Sequence, residues 1–210
     1  MVITRIERQK KNPRRYNIYI DGEFAVGLDR NVVIDNGLRK GDEADESLLR
    51  KLRTADELVR AYQIALRFLS YRPRSEAEIR KRLEREELLP DTIEQIITRL
   101  RDEHQLDDKR FAEMYAESKM LAKPIGAHRL RLELRKKGIS DSIIRHVEQS
   151  YCNEENELKN ARRLAEKKLS TDKANDPMKR KKRLADFLVR RGFGWDIVGI
   201  VIEEKRDQLE

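Results

Sequence analysis

Two stretches of this chain concentrate the side chains best suited to hold a charged partner. Lys123 to Lys137 carries Lys123, Arg129, Arg131, Arg135, Lys136 and Lys137 against Glu133 alone, a net charge of +5. Asp176 to Gly192 carries Lys179, Arg180, Lys181, Lys182, Arg183, Arg190 and Arg191 against Asp176 and Asp186, again +5. A weaker third stretch, residues 72–86, sets Arg72, Arg74, Arg80, Lys81, Arg82 and Arg85 against four glutamates. Guanidinium and ammonium groups in such runs neutralise phosphates with strong salt dependence and little sequence preference, or pair with carboxylates on an acidic protein surface. The competing reading is ordinary solvated helix surface. Many charges are intermixed and fall in i,i+4 pairs, such as Glu76 with Arg80 and Glu78 with Arg82.

No other chemistry is legible. His104, His128 and His146 fall in different elements with no second ligand at metal spacing. Cys152 is the single cysteine, which excludes an internal disulfide and a CxxC metal site and reads as a linker or helix-end residue. No Ser/His/Asp or Cys/His set is suggested, and Gly192-Phe-Gly-Trp195 is too short for a phosphate loop. The sequence therefore predicts no catalytic residue, no cofactor, no metal and no enzyme.

The basic stretches need helices to hold them. Ser75 and Glu78 form a capping box for one helix through Ile79 and Leu83. Asp91 and Glu94 suggest the same device for a second, just after Pro90, with Ile93, Ile96, Ile97 and Leu100 at amphipathic spacing. A shift of 51 residues carries Ile79, Leu83, Leu88, Ile93 and Ile96 onto Leu130, Leu134, Ile139, Ile144 and Val147, and Ala61 and Ala65 onto Ala112 and Ala116. A further shift of 54 carries Leu130, Leu134, Gly138, Ile139, Ile144 and Val147 onto Leu184, Leu188, Gly192, Phe193, Val198 and Val201. The pattern predicts three copies of a helical unit of roughly 50 residues. Both +5 stretches then become the second helix of a copy, and their arginines a periodic basic stripe.

Residues 1–56 differ. Val2 to Ile6, Tyr16 to Ile20 and Glu23 to Leu28 read as strands, with a turn at Asn12-Pro13 and a hairpin at Asp21-Gly22. Asp29 caps a short helix that Gly37 ends. This part holds 12 basic and 10 acidic residues, so bulk charge gives it no role. A long helix is expected from about Asp42 to Leu69. Asp107 or Asp108 caps the next, which Pro124 and Gly126 break; then come Ala127 to Lys137 and Ser140 to Tyr151. Cys152 to Asn156 reads as a linker. The third copy has helices from Leu158 to Leu169, Met178 to Arg191 and Asp196 to about Lys205, with a polar loop from Ser170 to Pro177. The expected fold is mainly α, an elongated array of three tandem three-helix repeats with a small N-terminal three-stranded sheet. Its parts are 1–56, 57–105, 106–152 and 153–210.

Composition agrees with small modules. Of the 210 residues 41% are charged, 38% hydrophobic and 6% aromatic, a thin core for this length. The net charge of +8 favours nucleic acid or an acidic protein as partner. No signal peptide and no apolar run of membrane-spanning length is present, so a cytoplasmic, monomeric protein that does not enter membranes is the expectation. Leu132 breaks the pattern, because it points away from Leu130 and Leu134 among His128, Arg131 and Arg135. Packing against an adjacent repeat is the favoured explanation; an exposed apolar anchor in a basic contact surface is the other.

Three segments carry a family resemblance. Ala65-Leu-Arg-Phe-Leu-Ser-Tyr-Arg-Pro-Arg-Ser-Glu-Ala-Glu-Ile-Arg-Lys-Arg-Leu83, Leu106-Asp-Asp-Lys-Arg-Phe-Ala-Glu113 and Glu133-Leu-Arg-Lys-Lys-Gly-Ile139 resemble the RecX family of bacterial recombination regulators. Tyr16 to Ala25 and Gly37 to Gly41 are similar to the N-terminal extension of some members, and the third copy is the most divergent. The resemblance implies a non-enzymatic cytoplasmic protein that binds the RecA filament on single-stranded DNA. Family members lie along the filament groove and modulate ATP hydrolysis and strand exchange, usually downward, in recombination, DNA repair and the SOS response. The contact candidates are Arg72, Arg74, Arg80, Arg129, Arg131, Leu132, Arg135, Lys136, Lys182, Arg190 and Arg191. Two alternatives stay open: a sequence-independent nucleic-acid-binding repeat protein, contacting single-stranded or duplex DNA through the basic helices, and a structural helical adaptor.

Overall fold

The computed structural model describes residues 1–172 and 176–209. The chain divides into two compact units, Met1–Pro73 with Ile79–Leu106, and Arg74–Glu78 with Asp107–Glu210.

In the first unit, strands β1 (Ile3–Arg8), β2 (Arg15–Ile20) and β3 (Glu23–Asp29) form an antiparallel sheet in the order β1-β2-β3. Alternation turns Ile3, Ile18, Ile20 and Leu28 inward, where they meet Val32, Ala44 and Leu52. Helix α1 (Arg30–Asp35) is capped by Asp29, which accepts the Asn31 N–H. Helix α2 (Glu46–Tyr71) begins four residues later than the sequence suggests, because Asp45 is its cap and accepts the Leu48 N–H. Polar ties fix α2 to the sheet. Asp56 accepts from the Asp29 N–H at 2.6 Å and from Arg15 at 2.8 Å, and Gln63 donates to the Asp29 carboxylate.

The far half of α2 serves a second core. Ala61 and Ala65 pack with Ile79 and Leu83 of α3 (Glu76–Glu84) and with Ile93, Ile96, Ile97 and Leu100 of α4 (Pro90–Asp102). The box proposed for α4 is not formed. Pro90 occupies the first helical position, which makes Leu89 the cap with no side-chain bond, and Glu94 pairs with Arg80 instead.

The second unit repeats this plan twice. Helices α5 (Asp108–Ala122), α6 (Ala127–Lys136) and α7 (Asp141–Tyr151) enclose one core. Helices α8 (Glu154–Leu169), α9 (Pro177–Arg190) and α10 (Trp195–Glu204), followed by the short α11 (Arg206–Leu209), enclose another. The alanine pairs Ala61/Ala65, Ala112/Ala116 and Ala161/Ala165 are all fully buried, as are Ile79/Leu83, Leu130/Leu134 and Leu184/Leu188 to within 1%. Small residues on the first helix let the second approach closely, so the periodicity in the sequence is the periodicity of three cores. Two boundaries move. Asn153 caps α8 through the Asn156 N–H, so helix occupies most of the expected 152–156 linker. Of the expected polar loop 170–177, residues 173–175 lie outside the described residues.

Candidate functional site

An α-helix opens with N–H groups that lack intrahelical partners. In the second unit, two helix starts are satisfied by the module that follows. Ahead of α3, the Ser75 hydroxyl donates to the Lys137 carbonyl at 2.6 Å, and the Glu76 N–H donates to Asp108 of α5 at 2.8 Å. Ser75 also exchanges bonds with Glu78, completing the expected capping box, and Lys137 pairs with Glu78 at 3.3 Å. Ahead of α6, the Gly126 N–H donates to the Arg191 carbonyl at 2.9 Å, the His128 N–H to the Gly192 carbonyl at 3.2 Å, and the Ala127 N–H to Glu157 of α8 at 2.7 Å. The shifts of 51 and 54 residues that relate the cores also relate Ser75 to Gly126 and Lys137 to Arg191.

This seam brings Arg129 and Arg190 together, the Arg129 guanidinium donating to the Arg190 carbonyl at 3.2 Å. The arginines of α6 are not a bare stripe, however. Arg131 makes a bidentate pair with Glu148 of α7 at 2.8 and 2.9 Å, and that carboxylate is only 12% exposed. Arg135 pairs with Asp141 at 2.9 Å and Arg129 with Glu133 at 3.0 Å. The net charge of +5 counted along this stretch misses Glu148 and Asp141, which the fold delivers from the next helix. Arg80 of α3 is likewise paired, with Glu94. Exposed pairs of this kind contribute only about 0–1 kcal/mol, so Arg129 and Arg135 can exchange partners at small cost. Arg131 is held more firmly, because leaving Glu148 strands a nearly buried carboxylate.

The other candidates differ. Among the described residues, no ion pair engages Lys136 at the end of α6, Lys182 on α9, Arg190 or Arg191. Arg191 caps α9 and holds its guanidinium 5.3 Å from the Phe187 ring centre. Arg72 and Arg74 flank Pro73 between α2 and α3, and Arg72 donates to the Pro73 carbonyl. Leu132 is 45% exposed; the favoured expectation, packing against an adjacent repeat, is not met. It therefore stands as an apolar side chain among charged ones on the open face of α6.

Behind Arg129 lies a tighter cluster. Glu133 accepts from Tyr115 at 2.7 Å, Lys119 at 2.8 Å and Arg129 at 3.0 Å. Burial alone would raise its pKa, but the bonds from Lys119, Tyr115 and Arg129 outweigh that and bring the carboxyl down to about 2. Glu157 moves the other way, because burial dominates over the single bond from Ala127. Burial, with the nearby Glu157 and Glu148 charges, pushes the Cys152 thiol up to about 12, so it is no nucleophile at neutral pH. Among the described residues, no His, Cys, Asp and Glu side chains gather as metal ligands, and no helix is long and apolar enough to cross a membrane.

These features define a tandem array of three-helix modules, joined in part by helix-end capping and preceded by a small sheet domain. Comparison with known proteins gives the family. Residues 1–45 match the RecX regulatory protein N-terminal domain, and 61–100, 107–147 and 154–202 match the first, second and third RecX three-helix domains. Regulatory protein RecX of Bacillus cytotoxicus is 33% identical over 213 residues, covering 100% of this chain and 78% of that protein, and the Bacillus cereus (strain AH820) protein matches equally. A crystal structure of regulatory protein RecX aligns with TM-score 0.78 and 30% identity over 96% of this chain and 98% of its own. RecX from Lactobacillus salivarius aligns with TM-score 0.64 and 30% identity over 73% of this chain and 98% of its own. The chain belongs to the RecX family, a family of regulatory proteins.

Proposed function

We propose that this chain binds the RecA filament on single-stranded DNA and lowers its ATP hydrolysis and strand exchange, acting by contact rather than catalysis in the cytoplasm. The observation that carries this reading is the match to all four RecX domains. The geometry supports it. Serially related modules offer several weak sites on one chain, and simultaneous engagement multiplies their affinities. Lys136, Lys182, Arg190 and Arg191 are the side chains we assign first to acidic filament patches or phosphate, since no internal carboxylate has to be displaced. Arg129 and Arg135 follow, then Arg80, Arg72 and Arg74, with Leu132 as an apolar anchor. Arg131 contributes least.

The test is titration of the chain into RecA hydrolysing ATP on single-stranded DNA. Inhibition well below one molecule per RecA is expected, and the quadruple reversal of Lys136, Lys182, Arg190 and Arg191 to glutamate should abolish it with helicity retained. No change in hydrolysis at several salt concentrations would end this reading.

A further inference from the structure

The first unit contains a cleft that lies outside both strongly basic stretches of the sequence. It has a volume of about 370 Å³ and runs along one face of α2 past Arg60, Gln63, Arg67, Phe68 and Tyr71, with Arg82 of α3 also lining it. The α2 residues are spaced at 3, 4, 1 and 3, so they stay on one side of the helix over three turns, roughly 16 Å. Among the described residues, no carboxylate lines the cleft. Arg82 pairs with Glu86, but among the described residues no ion pair engages Arg60 or Arg67. Three guanidinium groups around one concavity repel one another, an arrangement that an anion relieves. Tyr71, at the end of α2, is 76% exposed, an unusual position for a large ring with no partner to cover it.

We propose that this cleft is a nucleotide site, in which Arg60, Arg67 and Arg82 hold phosphate and the Tyr71 ring stacks on a base. Arginine supplies paired donors that match phosphate oxygens, and an aromatic face accepts any base. An acidic peptide would satisfy the arginines but leave Tyr71 uncovered. Duplex DNA keeps its bases stacked out of reach of the ring. The ligand is therefore phosphate and unpaired base together, supplied either by a free nucleotide or by a single strand. This inference does not rest on the filament reading, since it concerns the chain without RecA. The second module lacks these side chains, since Phe111 and Ala122 stand in place of Arg60 and Tyr71 under the 51-residue shift.

The experiment uses the full chain without RecA. One arm measures fluorescence anisotropy of a labelled oligothymidylate, the other calorimetric titration with ATP. Tyr71→Ala should weaken binding about tenfold, in the range seen for loss of one stacked base, while Tyr71→Phe retains it. Arg60→Gln with Arg67→Gln should weaken it more than about tenfold and flatten the dependence on salt by about two charges. Circular dichroism confirms folding, which is safe at so exposed a position as Tyr71. Binding in the strand arm alone identifies a polynucleotide, and binding of ATP identifies a free nucleotide; either supports the site. No binding in either arm, equal binding by the alanine and native chains, or equal competition by duplex DNA or polyglutamate would overturn it.

Discussion

The two seams of the second unit do the same job with different atoms. At the start of α3, a serine hydroxyl, a capping box and a Lys137–Glu78 ion pair make the connection. At the start of α6, backbone meets backbone, Gly126 to Arg191 and His128 to Gly192. Side-chain bonds tolerate small displacements and depend on solvent conditions. Backbone contact tolerates neither bulk nor shift. A Cβ on Gly126 would run into the Gly192 carbonyl, and one on Gly192 into the backbone of Arg129. The α3 seam is close-packed too, since a Cβ on Gly138 would run into the Ala77 side chain. Repetition preserves the contact geometry, and what drifts is whether side chains or backbone groups make most of the bonds across it.

The largest effect should come from the α6 seam, where added bulk meets backbone. Gly192 has φ +91°, so Gly192→Ala meets both an unfavourable backbone conformation and the Arg129 backbone, and a loss of roughly 2–4 kcal/mol in denaturant unfolding is expected. Gly199→Ala, on α10 with open space around it, should change stability by under about 1 kcal/mol, in the stabilising direction. Equal responses to the two would show that the α6 seam accepts added bulk.

The polar seam should answer to its hydroxyl. Ser75→Ala removes two bonds from a fully buried position and should cost about 1–2 kcal/mol, with faster amide exchange at Glu78. If Ser75→Ala were silent, the seam would rest on Asp108, the Lys137–Glu78 pair and packing.

Two carboxylates beside the α6 seam sharpen the comparison through pH. The Glu133 pKa is depressed, so its contribution is present above the ordinary carboxylate range and is lost as pH falls from about 4.3 toward 2. Glu133→Gln should then lower stability by roughly 1–2 kcal/mol at pH 7, partly screened by solvent, with the gap closing in acid. Glu157 is raised, so its ionisation opposes folding at neutral pH and relaxes as pH falls through its folded value. Glu157→Gln keeps an acceptor for Ala127, and should match or slightly exceed the native chain at pH 7 while converging with it in acid. Parallel profiles for the two variants, measured by thermal unfolding across pH, would contradict this assignment.

Much of the fold was legible because its cores repeat. The apolar spacing located the buried faces of the three helices in each copy, though not α11 with its buried Leu209, and Ser75 with Glu78 identified one cap. Asp91 with Glu94 misled, since Pro90 claims the first helical position and Arg80 claims Glu94, and only the second of these is invisible locally. The basic stripe was counted along single segments, whereas Glu148 and Asp141 arrive from a different helix. The seams join residues 62 and 65 positions apart, beyond any local pattern. Arg60 and Arg67 were missed for a simpler reason. They lie one per two turns among neutral residues, and a helical projection of α2, rather than a search for charge runs, would have placed them beside Tyr71.

Helix α9 is arranged unlike α3 and α6. Its opening amides are filled by its own Asp176, which accepts from Met178 and Lys179. The earlier two borrow a carboxylate from a later module, so a duplicated unit can couple by offering one acid and one carbonyl to its predecessor. An array assembled under that rule can lengthen by whole units without redesign, and a helix supplying its own cap needs nothing further to complete it.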